Sequence, residues 1–196
     1  MAQRTKARQK VVTVFGSSRA EPGSSLYREA YELGRLLAKH GYVVCNGGYS
    51  GTMEAACRGC KEAGGRTIGV TVETFGGLAP NEFLDEEVGT ASLFMRLDKL
   101  TSLGDAFFIL GGGIGTLLEM SLVWNLRIML IYPDKPIILL GSAWEKALED
   151  ISRYLEIRDT ELAAFTFAER PEDAIATLAQ ATRALDVERA GTDWRG

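Results

Sequence analysis

Three glycine-rich turns carry the chemistry this sequence offers first. They are Gly16-Ser17-Ser18-Arg19, Asn46-Gly47-Gly48-Tyr49-Ser50-Gly51-Thr52 and Gly111-Gly112-Gly113-Ile114-Gly115-Thr116. A glycine has no Cβ to hold a ligand away from backbone N–H groups, and it tolerates positive φ. Where a helix begins directly after such a turn, its unpaired N–H groups and the positive end of its dipole meet at one point. The result is an anion cradle suited to a phosphate. No Gly-Lys-Ser/Thr follows these turns, so none is a P-loop. The first turn lacks GxGxxG and no acid ends the second strand, which argues against a dinucleotide fingerprint.

Other chemistries are thinly supplied. His40 is the single histidine and sits late in a helical segment, which disfavours any mechanism needing several. Cys57 and Cys60 have CxxC spacing, but only Cys45 could add a third thiolate, and the pair reads as two small residues on one helix face. Asp85-Glu86-Glu87 reads as solvated acids in a polar loop. No metal and no cofactor is expected.

The elements that must position the turns follow from periodicity. Short apolar runs at Val11–Phe15, Tyr42–Cys45, Thr67–Val72, Ala106–Leu110, Ile137–Leu140 and Phe165–Phe167 read as strands. Helical patterns fill Leu26–Lys39, Gly51–Ala63, Leu93–Leu103, Gly115–Leu126 and Trp144–Leu155, and a last helix starts at Pro171. Strands alternating with helices predict an α/β fold: a Rossmann-like, doubly wound, mostly parallel sheet with helices on both faces. Ligands of such sheets bind beyond the carboxyl ends of the strands, where the glycine turns lie. One domain is expected over residues 11–186, between a flexible basic lead (1–10) and a polar, mobile tail (187–196).

Composition sets the remaining bounds. With 46% hydrophobic residues the chain can build a real core. Its 22 Lys+Arg against 26 Asp+Glu give a net charge of −4, which disfavours a nucleic-acid partner. No apolar run reaches the ~18 residues of a membrane span. Three cysteines, an odd count, and a lead without an apolar h-region point to the cytoplasm.

The segment Gly112-Gly113-Ile114-Gly115-Thr116-Leu117-Leu118-Glu119 resembles the PGGxGTxxE motif of the LOG (Lonely Guy) family, whose members are often mislabelled lysine decarboxylases. The Gly47–Met53 turn, with Ala55-Ala56 and Gly64-Gly65 after it, resembles that family's second glycine loop and helix, and Gly16-Ser17-Ser18 matches its GSS element. The resemblance spans about residues 11 to 140 and is nearest to the divergent branch related to the DNA-processing-protein-A superfamily. It implies a Rossmann-like dimer that hydrolyses the N-glycosidic bond of a nucleoside 5′-monophosphate, cytokinin ribotides included, to free base and ribose 5-phosphate. It also implies a catalytic pair, Arg96 and Glu119, and ligand or phosphate contacts from Gly16, Ser17, Gly48, Met53, Gly112, Gly113, Ile114, Gly115 and Thr116. Two positions depart from the pattern: Leu97 stands where the family has lysine, and Gly111 where it has proline.

That chemistry can be argued from residue types. Cleaving a ribosyl C–N bond develops oxocarbenium-like charge, which a nearby carboxylate stabilises, or the carboxylate activates the attacking water. Glu119 lies one turn into the helix whose start holds the phosphate, so it projects towards the sugar. Arg96 would orient Glu119, hold a phosphate oxygen or stabilise the leaving base. Tyr49 reads either as a stacking partner for the base or as an exposed loop aromatic, and Trp124 and Trp144 as core or subunit-interface residues. The apolar positions of Leu93–Leu103 and Gly115–Leu126 exceed one buried stripe, which predicts a second copy against them. An alternative reading is a non-catalytic carrier, like the similar molybdenum-cofactor carrier proteins, whose ligand is a phosphorylated pterin.

Overall fold

The computed structural model describes residues 8–73 and 76–192, the side chains of 185–192 excepted. In chain order the elements are β1 (Val11–Phe15), α1 (Ser25–Lys39), β2 (Val43–Asn46), α2 (Thr52–Glu62), β3 (Thr67–Val72), β4 (Glu86–Thr90) and α3 (Leu93–Leu103). Then come β5 (Ala106–Ile109), α4 (Ile114–Ile128), β6 (Ile137–Leu140), α5 (Ala143–Ser152), α6 (Asp159–Leu162), β7 (Phe165–Ala168) and α7 (Pro171–Thr192). Among the described residues, seven strands form one parallel sheet in the order β4-β3-β2-β1-β5-β6-β7. The chain builds outward from β1 to β4, then returns to the other side of β1 with β5. A crevice therefore opens between the carboxyl ends of β1 and β5, the switch point at which such sheets bind ligands.

The doubly wound expectation holds. Every residue of β1, β2, β3, β5 and β6 is buried, as strands covered on both faces must be. One core cluster joins Val12, Val14, Phe108 and Ile138 to Leu33 and Leu37 of α1, Ala56 of α2 and Leu178 of α7. The other joins Phe15, Phe107, Ile109 and Leu139 to Leu100 of α3, Met120 and Val123 of α4 and Leu148 of α5. Helices α1 and α2 pack backbone to backbone: a Cβ on Gly34 would lie 2.0 Å from Ala56 O, and one on Gly59 2.0 Å from Tyr31 O. Helix α1 is started by Ser24, whose side chain accepts from Tyr27 N–H at 3.2 Å.

Three local features add to the sequence reading. Asp85-Glu86-Glu87 is not a free loop: Glu86 and Glu87 open edge strand β4, opposite Ile68 and Gly69. The Asp85 carboxylate accepts from Thr67 N–H at 2.9 Å and pairs with Lys61. An edge strand has one side open to solvent, so acids suit it and discourage pairing with another chain. Helix α6, four residues long, has no periodicity to announce it. The backbone of 187–192 continues α7, whereas residues 1–7 and 193–196, the outer parts of the expected lead and tail, lie outside the described residues.

Candidate functional site

At the carboxyl ends of the strands, the first and third glycine turns and part of the second line one cleft of about 1070 Å³. That is at the upper end of small-ligand sites, roughly 300–1,000 Å³. Its lining includes Gly16, Ser17, Arg19, Gly47, Tyr49, Met53, Arg96, Leu97, the whole of 111–119, and apolar residues such as Leu78 and Leu93. The turns are tied together by backbone. Ser17 N–H donates to Gly111 O at 3.2 Å, and Ser17 O accepts from Thr52 N–H at 2.9 Å and from the Thr52 hydroxyl at 3.2 Å.

Glycine serves two purposes in this cradle. At Gly16 a Cβ would lie 2.5 Å from Thr52 Oγ1, and at Gly112 one would lie 2.1 Å from Thr116 Oγ1, so both positions make room for a threonine hydroxyl. Gly113 and Gly115 are different. Each lines the cleft, neither has positive φ, and a Cβ on either would meet nothing within 4 Å. The fold does not require glycine there; the space is left to whatever binds. Helix α4 begins at Ile114, one residue before the expected start, with Gly113 as an N-cap that offers no side-chain bond. The first-turn N–H groups of α4 therefore have no side-chain cap, and a helix start left in that state favours negative charge.

The second component is a buried ion pair. Arg96, on α3, is 6% exposed and donates from Nε to Val70 O at 2.8 Å. Its Nη1 stands 3.6 Å from Glu119 Oε1, and the Glu119 side chain is only 12% exposed. The separation is too long for a hydrogen bond and short enough for strong Coulombic attraction. Burial pushes the Glu119 carboxyl up to about 7, with Arg96 acting in the opposite direction. A carboxyl poised near neutrality in a cleft is suited to proton transfer or to stabilising a cationic sugar. Arg96 is not a surface helix cation, and Glu119, beyond the first turn of α4, is not a dipole-capping acid.

Of the candidate ligand contacts, Gly16, Ser17, Met53 and Gly112 through Thr116 line the cleft with Arg96 and Glu119, whereas Gly48 does not. Gly48 has φ +77° and packs on Gly69 and Thr71 of β3, because this turn must fold over the neighbouring strand before α2 can start. Gly47 takes its place at the cleft, and the sequence motif does not say which glycine of the pair faces inward. Tyr49 is buried, not an exposed loop aromatic. Its hydroxyl accepts from Val72 N–H at 2.9 Å and its ring lies 5.7 Å from the Arg96 guanidinium carbon. Leu97, the residue in the lysine position, is buried in the cleft wall.

The remaining sequence candidates lie outside this cleft. His40 ends α1 with its Nδ1 2.9 Å from Leu36 O. Cys45 and Cys60 belong to opposite core clusters, and no group of three metal-ligating side chains occurs among the described residues. Burial raises the Cys45 and Cys57 thiols to about 12. Trp124 donates to Glu161 O at 2.8 Å and packs on Phe165, with ring centroids 4.8 Å apart. Among the described residues, no helix is long and apolar enough to cross a membrane.

A family model described as SLOG cluster4 matches residues 9–175, which contain all three turns and both members of the ion pair. The chain belongs to the SLOG cluster4 family. A cytokinin riboside 5′-monophosphate phosphoribohydrolase of Mycobacterium tuberculosis is 31% identical to this SLOG cluster4 protein over 119 residues, 59% of the chain and 63% of that relative. The chain thus spans less than two thirds of the relative's length. The structure of a molybdenum cofactor binding protein from Rippkaea orientalis is similar over 89% of this chain and 98% of its own, at 26% identity and a TM-score of 0.70. DNA processing protein A from Helicobacter pylori shares the fold, at 18% identity and a TM-score of 0.57 over 87% of this chain and 80% of its own. The LOG-like resemblance and the Rossmann-like fold both stand.

Proposed function

We propose that this SLOG cluster4 protein binds a nucleoside 5′-monophosphate and hydrolyses its N-glycosidic bond, releasing free base and ribose 5-phosphate. The observation that carries the reading is the Arg96–Glu119 pair at 3.6 Å in the same cleft as the uncapped start of α4. The phosphate takes the N–H groups of the α4 first turn and the Gly113 edge, supported by the helix dipole. Glu119 lies one turn further along α4, so a ribose attached to that phosphate reaches its carboxylate. There the ionised carboxylate stabilises positive charge growing on the anomeric carbon or takes a proton from the attacking water. Arg96 keeps Glu119 oriented and lowers the cost of its charge. Gly16, Ser17 and Met53 line the same cleft.

The test is incubation with a panel of nucleoside monophosphates, following free base and ribose 5-phosphate together. Wild type releases both in equal amounts; Glu119→Gln binds nucleotide with its turnover nearly abolished, because the amide keeps the shape and loses the charge. Equal rates in the two proteins would remove Glu119 from the mechanism.

A second reading, a non-catalytic carrier of a phosphorylated pterin, is favoured by two observations. The similarity to the Rippkaea protein runs nearly the full length of that chain. Leu97 also makes the cleft wall apolar where the hydrolase pattern has a lysine. Saturable binding without product from any nucleotide decides for the carrier. In either case a second copy covers the exposed apolar residues of α3 and α4, Phe94, Met95, Ile114 and Leu118 among them. We place the protein in the cytoplasm, where its three unpaired thiols stay reduced.

A further inference from the structure

Strand β3 outruns its neighbour. The last register pair between β2 and β3 is Asn46 with Gly69, after which β2 turns away through Gly47 and Gly48. Glu73 N–H donates to Thr90 O, so odd-numbered residues here turn their ladder groups to β4. Val70 and Val72 therefore present theirs to the flank that β2 has vacated. Buried backbone groups need partners, and two side chains supply them. Arg96 Nε–H donates to Val70 O at 2.8 Å, and the Tyr49 hydroxyl accepts from Val72 N–H at 2.9 Å and donates to Val72 O at 3.3 Å.

The same two side chains touch each other, with the Tyr49 ring 5.7 Å from the Arg96 guanidinium carbon. Beneath the guanidinium lies Gly47, where a Cβ would come 1.7 Å from Nη2 and 2.7 Å from Met53 Sδ. Gly47 lacks positive φ, so backbone geometry would accept alanine; the seated arginine and Met53 refuse it. The guanidinium is thus bounded by a β3 carbonyl, an aromatic face pinned by its own hydroxyl, and a bare Cα. Its Nη1 stands on the Glu119 side.

We propose that Tyr49 and Gly47 are positioning residues: they hold Arg96 on β3 and so keep its guanidinium from closing onto the Glu119 carboxylate. A guanidinium free to move would form the bidentate pair that arginine and carboxylate prefer, and both Glu119 oxygens would be occupied. Held at 3.6 Å, Arg96 lends charge while leaving the oxygens open. The consequence for turnover rests on the hydrolase reading; the consequence for Glu119 itself does not. Among the described residues, Arg96 is the charged group acting on the Glu119 carboxyl.

The experiment titrates Glu119 in the full-length, ligand-free protein by carboxyl carbon NMR, with Glu119→Gln assigning the signal. In Tyr49→Phe the ring stays but its pin on Val72 is lost; in Tyr49→Leu both are lost. Arg96 then closes on Glu119, and the Glu119 midpoint falls by about half a unit in Tyr49→Phe, a roughly threefold change in proton affinity, and further in Tyr49→Leu. In Gly47→Ala the Arg96 Nε–H, protected by Val70 O in wild type, loses between about threefold and thirtyfold of its exchange protection, the worth of one cation–π contact. A Glu119 midpoint unchanged in both tyrosine variants, even with a lowered melting temperature, makes Tyr49 merely structural and overturns the proposal. Should Tyr49→Leu fail to fold, Tyr49→Phe alone decides. An Nε–H still protected in Gly47→Ala overturns the part assigned to Gly47. If the midpoint moves and wild type hydrolyses no nucleotide, the hydrolase reading fails and the positioning of Arg96 stands.

Discussion

Gly115→Ala should stabilise the protein and damage its site at the same time. Gly115 is the second residue of α4, has negative φ, and has no atom within 4 Å of where a Cβ would stand. Alanine at a conformationally compatible glycine restricts the unfolded chain and stabilises by about 0.4–1 kcal/mol. In a chain of this length, that raises the melting temperature by roughly 1–4 °C. The same methyl group enters the cleft beside the first-turn N–H groups and holds a phosphate off them. Each charge-assisted hydrogen bond lost costs about 1.5–3 kcal/mol, so affinity falls by about tenfold to a hundredfold per bond. Thermal unfolding followed by circular dichroism, and calorimetric titration with AMP and with inorganic phosphate, read the two effects separately. A variant with a raised melting temperature and wild-type affinity for both ligands would place the phosphate elsewhere and refute the cradle. A lowered melting temperature would show that the space beside Gly115 belongs to the fold.

Leu97→Lys adds a cation to the cleft wall and should tighten phosphate binding by about tenfold; calorimetry showing no change sets the phosphate away from α3. Light scattering at micromolar concentration should give at least twice the monomer mass, since Phe94 and Ile114 are 83% and 80% exposed on neighbouring helices. Stability should depend on pH through Glu119. Its carboxyl is raised from 4.5 to about 7 in the fold, so the folded state binds the proton more tightly and stability falls as pH rises across that window. Glu119→Gln removes the effect: denaturant melts should show the variant gaining on wild type between pH 4.5 and 7, by at most about 3 kcal/mol, with no difference in trend below pH 4. Parallel pH dependences would mean that Glu119 titrates in the fold as it does in the unfolded chain.

What could be read from the sequence were features whose cause is local. A strand covered on both faces must be continuously apolar, and β1, β5 and β6 announce themselves that way. A glycine run ending at a helix start is likewise visible, and so is the resemblance that reaches Glu119. Strand β4 escaped because an edge strand needs no apolar run, so Glu86-Glu87-Val88-Gly89-Thr90 looks like a loop until Ile68 and Val70 are known to lie beside it. The fates of Gly47, Gly48, Tyr49 and Arg96 escaped for a different reason. Arg96 is fixed by Val70, Tyr49 by Val72, Gly47 by Arg96 and Gly48 by Gly69 and Thr71, all across 20 or more positions, and no spacing along the chain encodes which side of β3 will be left open. The lift of the Glu119 carboxyl is of the same kind, since burial supplied by other elements causes it.

The two readings share the proposed cradle, so the cradle cannot choose between them; Glu119 favours the hydrolase we propose. A negative carboxylate beside a bound phosphate repels it, and burying that carboxylate destabilises the fold at neutral pH. A site that only had to hold an anion would be better served, on both counts, by a neutral side chain of the same size. Arg96 softens the cost without removing it, because at 3.6 Å it makes an ion pair and no hydrogen bond. Tyr49 and Gly47 hold that arginine where it is, and a guanidinium closing fully onto Glu119 would have given the more stable protein. A carboxyl kept buried, titrating near neutrality and with open oxygens suits, once ionised, a cationic centre that forms only during reaction. The ribosyl carbon of a nucleotide losing its base is such a centre, and an intact pterin phosphate offers none.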